Sequence, residues 1–181
     1  SHVHEDHVAG LHLYPSTPCY CHQADALGMQ DLAGMMAIYG FEGEGGVDFE
    51  STVLDEFFYQ PRPDVQTFED GAVFDLGGVT IKVLHTPGHT RGHCCFMVEW
   101  DDQQLVYLGD IELTGFGPYY GDAWSSLTDF ETSIEKLTHI ESEYWLTFHH
   151  KGLIESREQF LVMLKAFREM IGFRESNLLD F

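Results

Sequence analysis

The stretch SHVHEDH at residues 1–7 decides how the rest of the sequence is interpreted. In an extended segment, side chains two residues apart point to the same side, so His2, His4 and Asp6 are expected on one face. His7 follows where the next residues, VAGL, favour the first turn of a helix. Imidazole nitrogens and carboxylate oxygens are ordinary ligands of zinc, and also of iron and manganese. So many ligand-type residues at this spacing predict a site for more than one metal ion.

A second interpretation is that these histidines belong to a tag remnant or to a solvated tail. A tag usually repeats histidine without interruption, whereas here carboxylates lie between the imidazoles. Three later segments favour the metal site, because each ends an apolar, strand-like run with a ligand-type residue. They are LHTPGHT at residues 84–90, YLGD at residues 107–110 and TFHH at residues 147–150.

Composition limits the classes of function. A chain of 181 residues is long enough for a substantial core, and we predict a single domain over residues 1–181. A formal charge of −21 argues against binding to nucleic acid or to an anionic membrane surface. No apolar run in the sequence is long enough to span a bilayer.

The cysteines do not have the spacing of a zinc knuckle or of a thioredoxin-type motif. Cys19 and Cys21 are separated by one residue, and Cys94 and Cys95 lie in an apolar run. Buried thiols behave as small hydrophobic side chains. We therefore expect all of them to be structural and reduced, which fits a reducing compartment and predicts a cytoplasmic location.

The hydrophobic pattern predicts strands that alternate with helices, which is typical of a layered α/β fold. A flexible loop is predicted at residues 43–46, where glycines cluster. The predicted helices cover residues 8–13, 23–29, 32–39, 49–59, 126–141 and a last segment after residue 156. The predicted strands cover residues 17–21, 65–68, 72–75, 79–84, 93–99, 104–108 and 144–148.

Taken together, the motifs resemble those of the metallo-β-lactamase-fold hydrolases, a superfamily that includes glyoxalase II-like thioesterases and lactonases. Residues 1–7 resemble its HxHxDH motif, HTPGHTRGH at 85–93 its HTPGHTxG loop, LGD at 108–110 its GD motif, and FHH at 148–150 its closing histidine motif. The resemblance implies an αββα sandwich. Because that family has several strands before its first motif, we expect the first N-terminal strands to be lacking here. A fragment of a longer gene product is favoured over a fold completed by another chain.

The resemblance also implies a ligand set for two adjacent metal ions. The first ion would be held by His2, His4 and His89, the second by Asp6, His7 and a closing histidine, and Asp110 would bridge the two. In the family one residue usually separates the strand end from the closing histidine. If Phe148 ends the strand, that spacing favours His150 over His149. His85 is expected to be structural, and His93 is expected to orient His89 or to lie in a strand core.

Such a site predicts hydrolysis by a metal-bound hydroxide. Two divalent ions, zinc before iron or manganese, can share a water, lower its pKa and polarise a carbonyl. Asp6 is the expected catalytic residue, because it can orient the nucleophile or receive its proton. No serine or cysteine nucleophile is then required.

We therefore expect a binuclear metal-dependent hydrolase that acts on a small ester, thioester or lactone. One alternative is an iron-dependent oxidoreductase, such as a persulfide dioxygenase, on the same fold with one iron. Another is an inactive metal-binding fragment. The expected partner is a small-molecule substrate. A homo-oligomer is also expected, because a missing sheet layer would expose apolar surface.

Overall fold

The computed structural model describes residues 1–41 and 44–179. Two short strands, β1 (Tyr20–His22) and β2 (Gln66–Phe68), pair in parallel, with Tyr20 opposite Gln66. The pair lies beside the segment that carries the first histidines. A larger sheet follows it in the sequence.

The larger sheet has six strands in the order in which they occur along the chain. The pair β6–β7 is parallel, because a helix connects these two strands, and the other neighbours are antiparallel. Its strands are β3 (Val73–Asp75), β4 (Thr80–His85), β5 (Cys94–Trp100), β6 (Gln103–Tyr107), β7 (Tyr144–Leu146) and β8 (Leu153–Ile154). Apart from β8, which the sequence analysis did not predict, each lies within a few residues of its predicted position.

The helices are short before the larger sheet and long after β6. They are α1 (Glu5–Val8), α2 (Leu27–Gln30), α3 (Leu32–Tyr39), α4 (Glu44–Asp55), α5 (Leu127–Thr138) and α6 (Arg157–Leu179), with 3₁₀ segments at Ala9–Leu13 and Gln23–Asp25. Helix α3 begins where the Asp31 side chain accepts a hydrogen bond from Gly34 N at 2.7 Å and ends at Gly40, whose φ is +75°. Among residues 1–41 and 44–179, no helix is both long and apolar enough to cross a membrane.

The loop predicted at residues 43–46 is wrong over residues 44–46, because α4 begins at Glu44. Residue 43 lies outside the described residues. Gly46 lies in the first turn of α4, and a Cβ there would lie 3.3 Å from the Phe41 carbonyl oxygen. Close packing therefore explains why glycine is found at this position inside a helix, although glycine usually favours loops. The helix is held by its buried Val53, which joins the core around α3.

One face of the larger sheet is covered by α5 and α6. Ser126 caps α5, because its side chain accepts a hydrogen bond from Asp129 N at 3.3 Å. The ring of Trp145 in β7 stacks on Phe160 of α6 with 3.5 Å between ring centroids. This face and the two helices form the principal core, and they hold the strand ends that lead into the site.

The other face of the larger sheet borders an open apolar groove of about 520 Å³. The strands place Phe96 opposite Tyr107 and Val98 opposite Leu105, so these four side chains share that face. Tyr20 of β1 lines the far side of the groove. The groove is apolar surface of the kind that the expected association requires. The homo-oligomer and the single-domain extent both stay predictions.

The four cysteines are free, as the sequence predicted. Cys21, Cys94 and Cys95 are buried. Burial raises the pKa of Cys21 and of Cys95 to about 12. Protonated thiols of this kind serve packing and do not provide a nucleophile.

Candidate metal centre

The segment before α1 presents His2 and His4 on one side. It is held at the edge of β5, where Cys94 N donates to the Ser1 carbonyl at 2.9 Å. Val3, between the two histidines, points the other way into the core around α3. As a result, His2 Nε2 and His4 Nδ1 lie 3.0 Å apart, as the alternation in the sequence predicted.

His89 reaches the same place from the loop between β4 and β5. Gly88 has a φ of +134°, and a Cβ there would lie 2.4 Å from the Phe130 backbone, so the loop requires glycine. The centroid of the His89 ring is 4.7 Å from that of His2 and 4.7 Å from that of His4. His89 Nδ1 donates to the Tyr119 carbonyl at 3.2 Å, which leaves Nε2 facing the other rings. We call His2, His4 and His89 the three-histidine group.

A buried carboxylate that sequence analysis missed fastens this group. Asp25 is fully buried, and it accepts hydrogen bonds from Val3 N at 3.3 Å, Thr90 Oγ1 at 2.7 Å and Gly92 N at 2.7 Å. It therefore ties the segment of His2 and His4 to the loop of His89. Burial raises the pKa of Asp25 against the effect of these hydrogen bonds. Its partners are distant in the sequence, so no local pattern marks it.

A second group lies next to the first. Asp6 and His7 project from the single turn of α1, which His7 N closes by donating to the His4 carbonyl at 3.1 Å. His149, in the turn after β7, places its Nε2 3.0 Å from Asp6 Oδ2. His7 Nε2 is 3.7 Å from the same oxygen. We call Asp6, His7 and His149 the Asp6 group.

Asp110 lies between the two groups. Its Oδ1 is 2.9 Å from His7 Nε2, and its Oδ2 is 3.3 Å from His89 Nε2. Burial opposes the charge, but contacts with His7 and His89 outweigh burial and hold the pKa of Asp110 well below its ordinary value. The carboxylate therefore has the position and the charge of a bridging ligand.

His93 and His85 support the site from outside. His93 Nδ1 donates to the Thr86 carbonyl at 3.0 Å, and its Nε2 accepts from Asp110 N at 3.1 Å, so it positions Asp110. His85 Nε2 donates to the Arg91 carbonyl at 2.9 Å, a structural role within the loop as predicted.

The preferred closing histidine changes with the structure. His150 has a positive φ of 35° and is exposed, whereas His149 turns towards Asp6. β7 ends at Leu146 and not at Phe148, and the turn that follows it brings His149, not His150, to the cluster. Sequence analysis also missed Glu112, whose Oε1 accepts a hydrogen bond from His149 N at 3.0 Å. Glu112 is two residues after Asp110, and this spacing is the signal that could have found it.

The donor atoms fit a divalent metal. Buried polar atoms normally have hydrogen-bond partners, but in the described part of the chain six do not, and all lie in or beside this cluster. They are His7 Nε2, His89 Nε2, Asp110 Oδ1 and Glu112 Oε2, together with His4 Nε2 and Asp122 Oδ2, which lie 3.5 Å from each other. Burial and neighbouring imidazoles lower the pKa of His2 and His4 well below the ordinary value, which keeps both rings in the neutral form that binds metals. Four sets of three ligand-type residues could each hold an ion here.

A cavity of about 300 Å³ opens beside the cluster. One wall is aromatic: the ring of Tyr39 is 4.7 Å from that of Phe49, which is 5.1 Å from that of Phe41. The Glu5 carboxylate accepts a hydrogen bond from the Tyr39 hydroxyl, and Asp122 lies at the same cavity. Among the described lining residues there is no lysine or arginine.

Comparison with known proteins identifies the family that these motifs indicate. The sequence profile of the Metallo-beta-lactamase superfamily matches residues 1–143. An uncharacterised protein of Mycobacterium tuberculosis is 34% identical over 116 residues, which are 61% of this chain and 48% of that protein. An atrochrysone carboxyl ACP thioesterase of Aspergillus fumigatus is 27% identical over 143 residues, which are 78% of this chain and 33% of that protein.

Solved structures show the same fold. A metallo-beta-lactamase family protein from Thermus thermophilus aligns with a TM-score of 0.69 at 19% identity, over 96% of this chain and 58% of that one. The chain thus spans about half the length of its mycobacterial relative and rather more of the solved structure. The fold expected from the sequence is the fold of these structures.

Proposed function

Since the chain belongs to the metallo-beta-lactamase superfamily, we propose that it is a binuclear metal-dependent hydrolase of small esters, thioesters or lactones. The observation that carries this proposal is the shared position of Asp110, which contacts His89 of the three-histidine group and His7 of the Asp6 group. Most members of the superfamily are hydrolases.

The three-histidine group would hold one ion and the Asp6 group a second, and we propose zinc at both. When bound, the ions supply Lewis-acid activation of water and of the acyl carbonyl. The buried, neutral imidazoles of His2 and His4 present lone pairs without a competing proton. The cavity beside them gives an acyl group access to the cluster.

Asp6 is the proposed proton acceptor. Its carboxylate lines the cavity, and its Oδ2 is held 3.0 Å from His149 Nε2, which fixes the direction of the other oxygen. A carboxylate at such a position can orient a water and receive its proton during attack. The cysteines are free but offer no activated nucleophile, because Cys21, Cys94 and Cys95 are buried and partial burial raises the pKa of Cys19.

The cavity favours an uncharged acyl group with apolar or aromatic character. Tyr39, Phe41 and Phe49 offer ring faces and edges for such a group. An additional carboxylate on the substrate would meet Glu5 and Asp122 and would find no cationic partner among the described lining residues. The thioesterase name of the Aspergillus fumigatus relative favours thioesters among the candidate classes.

The test combines metal analysis with a substrate screen. We expect the purified chain, loaded with zinc, to bind two ions and to hydrolyse a phenylacetyl thioester faster than a succinyl thioester. His4→Ala should reduce turnover by more than the roughly 10–100-fold that follows loss of a partner outside the ligand set. His139→Ala is the matched control, because that side chain is 76% exposed and pairs with Glu135.

Two results would contradict the proposal. One is unchanged turnover in His4→Ala. The other is a single iron per chain with oxygen uptake on a persulfide, which would favour the oxidoreductase alternative.

A further inference from the structure

Asp122 and His4 face each other through two buried atoms that have no hydrogen-bond partner. Asp122 Oδ2 is 3.5 Å from His4 Nε2, and both atoms are without a partner among the described residues. The two side chains are 4% and 8% exposed, so water is largely kept from this contact. Unpartnered buried atoms are costly, and two of them opposite each other point to a common role.

The orientation of the His4 ring explains the pairing. Its Nδ1 lies 3.0 Å from His2 Nε2, on the side of the three-histidine group. Its other nitrogen, Nε2, lies 3.5 Å from Asp122 Oδ2. A neutral imidazole has one protonated nitrogen, so a lone pair on Nδ1 requires the proton on Nε2, and a buried N–H requires an acceptor.

We propose that Asp122 is a positioning residue for the three-histidine group. Its Oδ2 accepts the Nε2 proton of His4, which fixes the tautomer whose Nδ1 is free to bind a metal and holds the ring at its present angle. This inference rests on the proposed metal site, but it concerns the binding of the ion and not the substrate.

The loop around Asp122 is built to hold this carboxylate. Tyr119 donates its hydroxyl proton to Asp122 Oδ1 at 3.2 Å, so one oxygen is occupied and Oδ2 remains for His4. Asp122 N donates to Ser125 Oγ at 3.3 Å, and Ser125 Oγ donates to the His89 carbonyl at 2.7 Å. The same loop therefore supports two of the three histidines.

The loop is also fastened to α3. Ala123 N donates to the Tyr39 carbonyl at 3.2 Å, and Trp124 N donates to the Ile38 carbonyl at 3.1 Å. Because the Tyr39 ring stacks on His4 with 4.9 Å between centroids, the imidazole is held on a ring face as well as through Nε2. A carboxylate in a loop this constrained can select one tautomer with little loss of entropy.

The test measures zinc affinity by competition with a chelator, with zinc alone as the ligand. Asp122→Ala should lower the affinity of the tighter site by roughly 10–100-fold, as the loss of a partner behind a histidine ligand does elsewhere. Asp122→Asn keeps an acceptor oxygen and should retain most of the affinity. Asp129→Ala, which removes an exposed carboxylate on α5, should leave the affinity unchanged.

A spectroscopic readout separates positioning from a structural role. In the cobalt-substituted protein, the exchangeable Nε2 proton of His4 should give a shifted NMR signal that is lost in Asp122→Ala and kept in Asp122→Asn. Equal zinc affinity of Asp122→Ala and the unaltered chain, with both folded by thermal unfolding, would overturn the inference. If the affinity falls as expected but no ester, thioester or lactone is hydrolysed, the proposed function fails and the positioning role stands.

Discussion

The two groups of ligand-type residues differ in how they are held. The side chains of His4 and His89 are 8% and 5% exposed, whereas in the other group only His7, at 4%, is as buried, and Asp6 and His149 are 28% and 37% exposed. The three-histidine group lies against the edge of β5 and the constrained glycine loop, while the Asp6 group depends on one helical turn and on the turn after β7. The comparison indicates that the first group is preorganised, and that the second can adjust to an ion or a substrate.

Asp25 contributes much of the rigidity of the three-histidine group. Its removal should therefore have the largest effect of the substitutions considered. Asp25→Ala would leave Val3 N and Gly92 N buried without acceptors. We expect a loss of about 3 kcal/mol in the free energy of unfolding. Zinc affinity of the three-histidine group should fall as well, because the two segments that carry it are no longer joined.

The measurement is urea unfolding of the metal-free protein, followed by zinc titration. Asp31→Ala is the matched control, because it removes a carboxylate that only caps α3, at a cost of about 1 kcal/mol. If Asp25→Ala costs no more than Asp31→Ala, the fastening role is wrong.

A paired substitution tests the second group. His149→Ala should remove the ligand next to Asp6, so that the chain binds one zinc ion where the unaltered chain binds two, with turnover reduced by roughly 10–100-fold. His150→Ala should change neither, because that side chain is exposed and lies outside the possible ligand sets. Elemental analysis and rate measurements on both variants distinguish the two histidines. Loss of one zinc ion in His150→Ala but not in His149→Ala would make His150 the ligand.

The sequence predicted the three-histidine group more fully than the Asp6 group, for physical reasons. Alternation in an extended segment fixes the side to which His2 and His4 point, and the glycine before His89 marks a tight turn. The choice between His149 and His150 depended on where β7 ends, and strand ends are set by tertiary packing.

The same distinction applies to the fold. Strands and helices with a clear hydrophobic period were predicted nearly to their bounds, including α5 at Leu127–Thr138. Both bounds of α4 were missed, since the helix covers Glu44–Asp55 and not residues 49–59. At its start, Gly46 packs against the Phe41 carbonyl in a contact that no sequence pattern reveals. Asp25 and Asp122 were missed for a similar reason, since their partners come from other parts of the chain.

The pH dependence of stability tests how firmly the three-histidine group is held. His93 is the titratable residue to examine, because its ring packs beside those of His2 and His89. Burial lowers the pKa of His93 to about 3 from an ordinary value near 6.5. Below pH 6.5 the unfolded chain takes up a proton that the folded chain does not, so stability is full above this pH and is lost as the pH falls towards 3. At pH 5 the loss that His93 causes amounts to about 2 kcal/mol.

Urea unfolding at pH 7.5 and pH 5, with a chelator present, measures this loss. His93→Gln keeps one donor and one acceptor but does not titrate, so its stability should fall less between the two pH values. The free energy of unfolding of His139→Ala should fall as much as that of the unaltered chain, because His139 is exposed. An equal fall in all three proteins would contradict the role given to His93.

The smallest effect is expected at Glu112, on the more exposed side of the cluster. Its Oε1 accepts from His149 N, and its Oε2 is buried without a hydrogen-bond partner among the described residues, so it supports the Asp6 group from behind. Glu112→Gln keeps the acceptor and removes one negative charge, and we expect the affinity for the second zinc ion to fall only several-fold, a change of about 1 kcal/mol. Zinc titration of the variant tests this, with Glu141→Gln as an exposed control. A loss as large as that in His149→Ala would mean that Glu112 is itself a ligand, and the second group would then be as firmly built as the first.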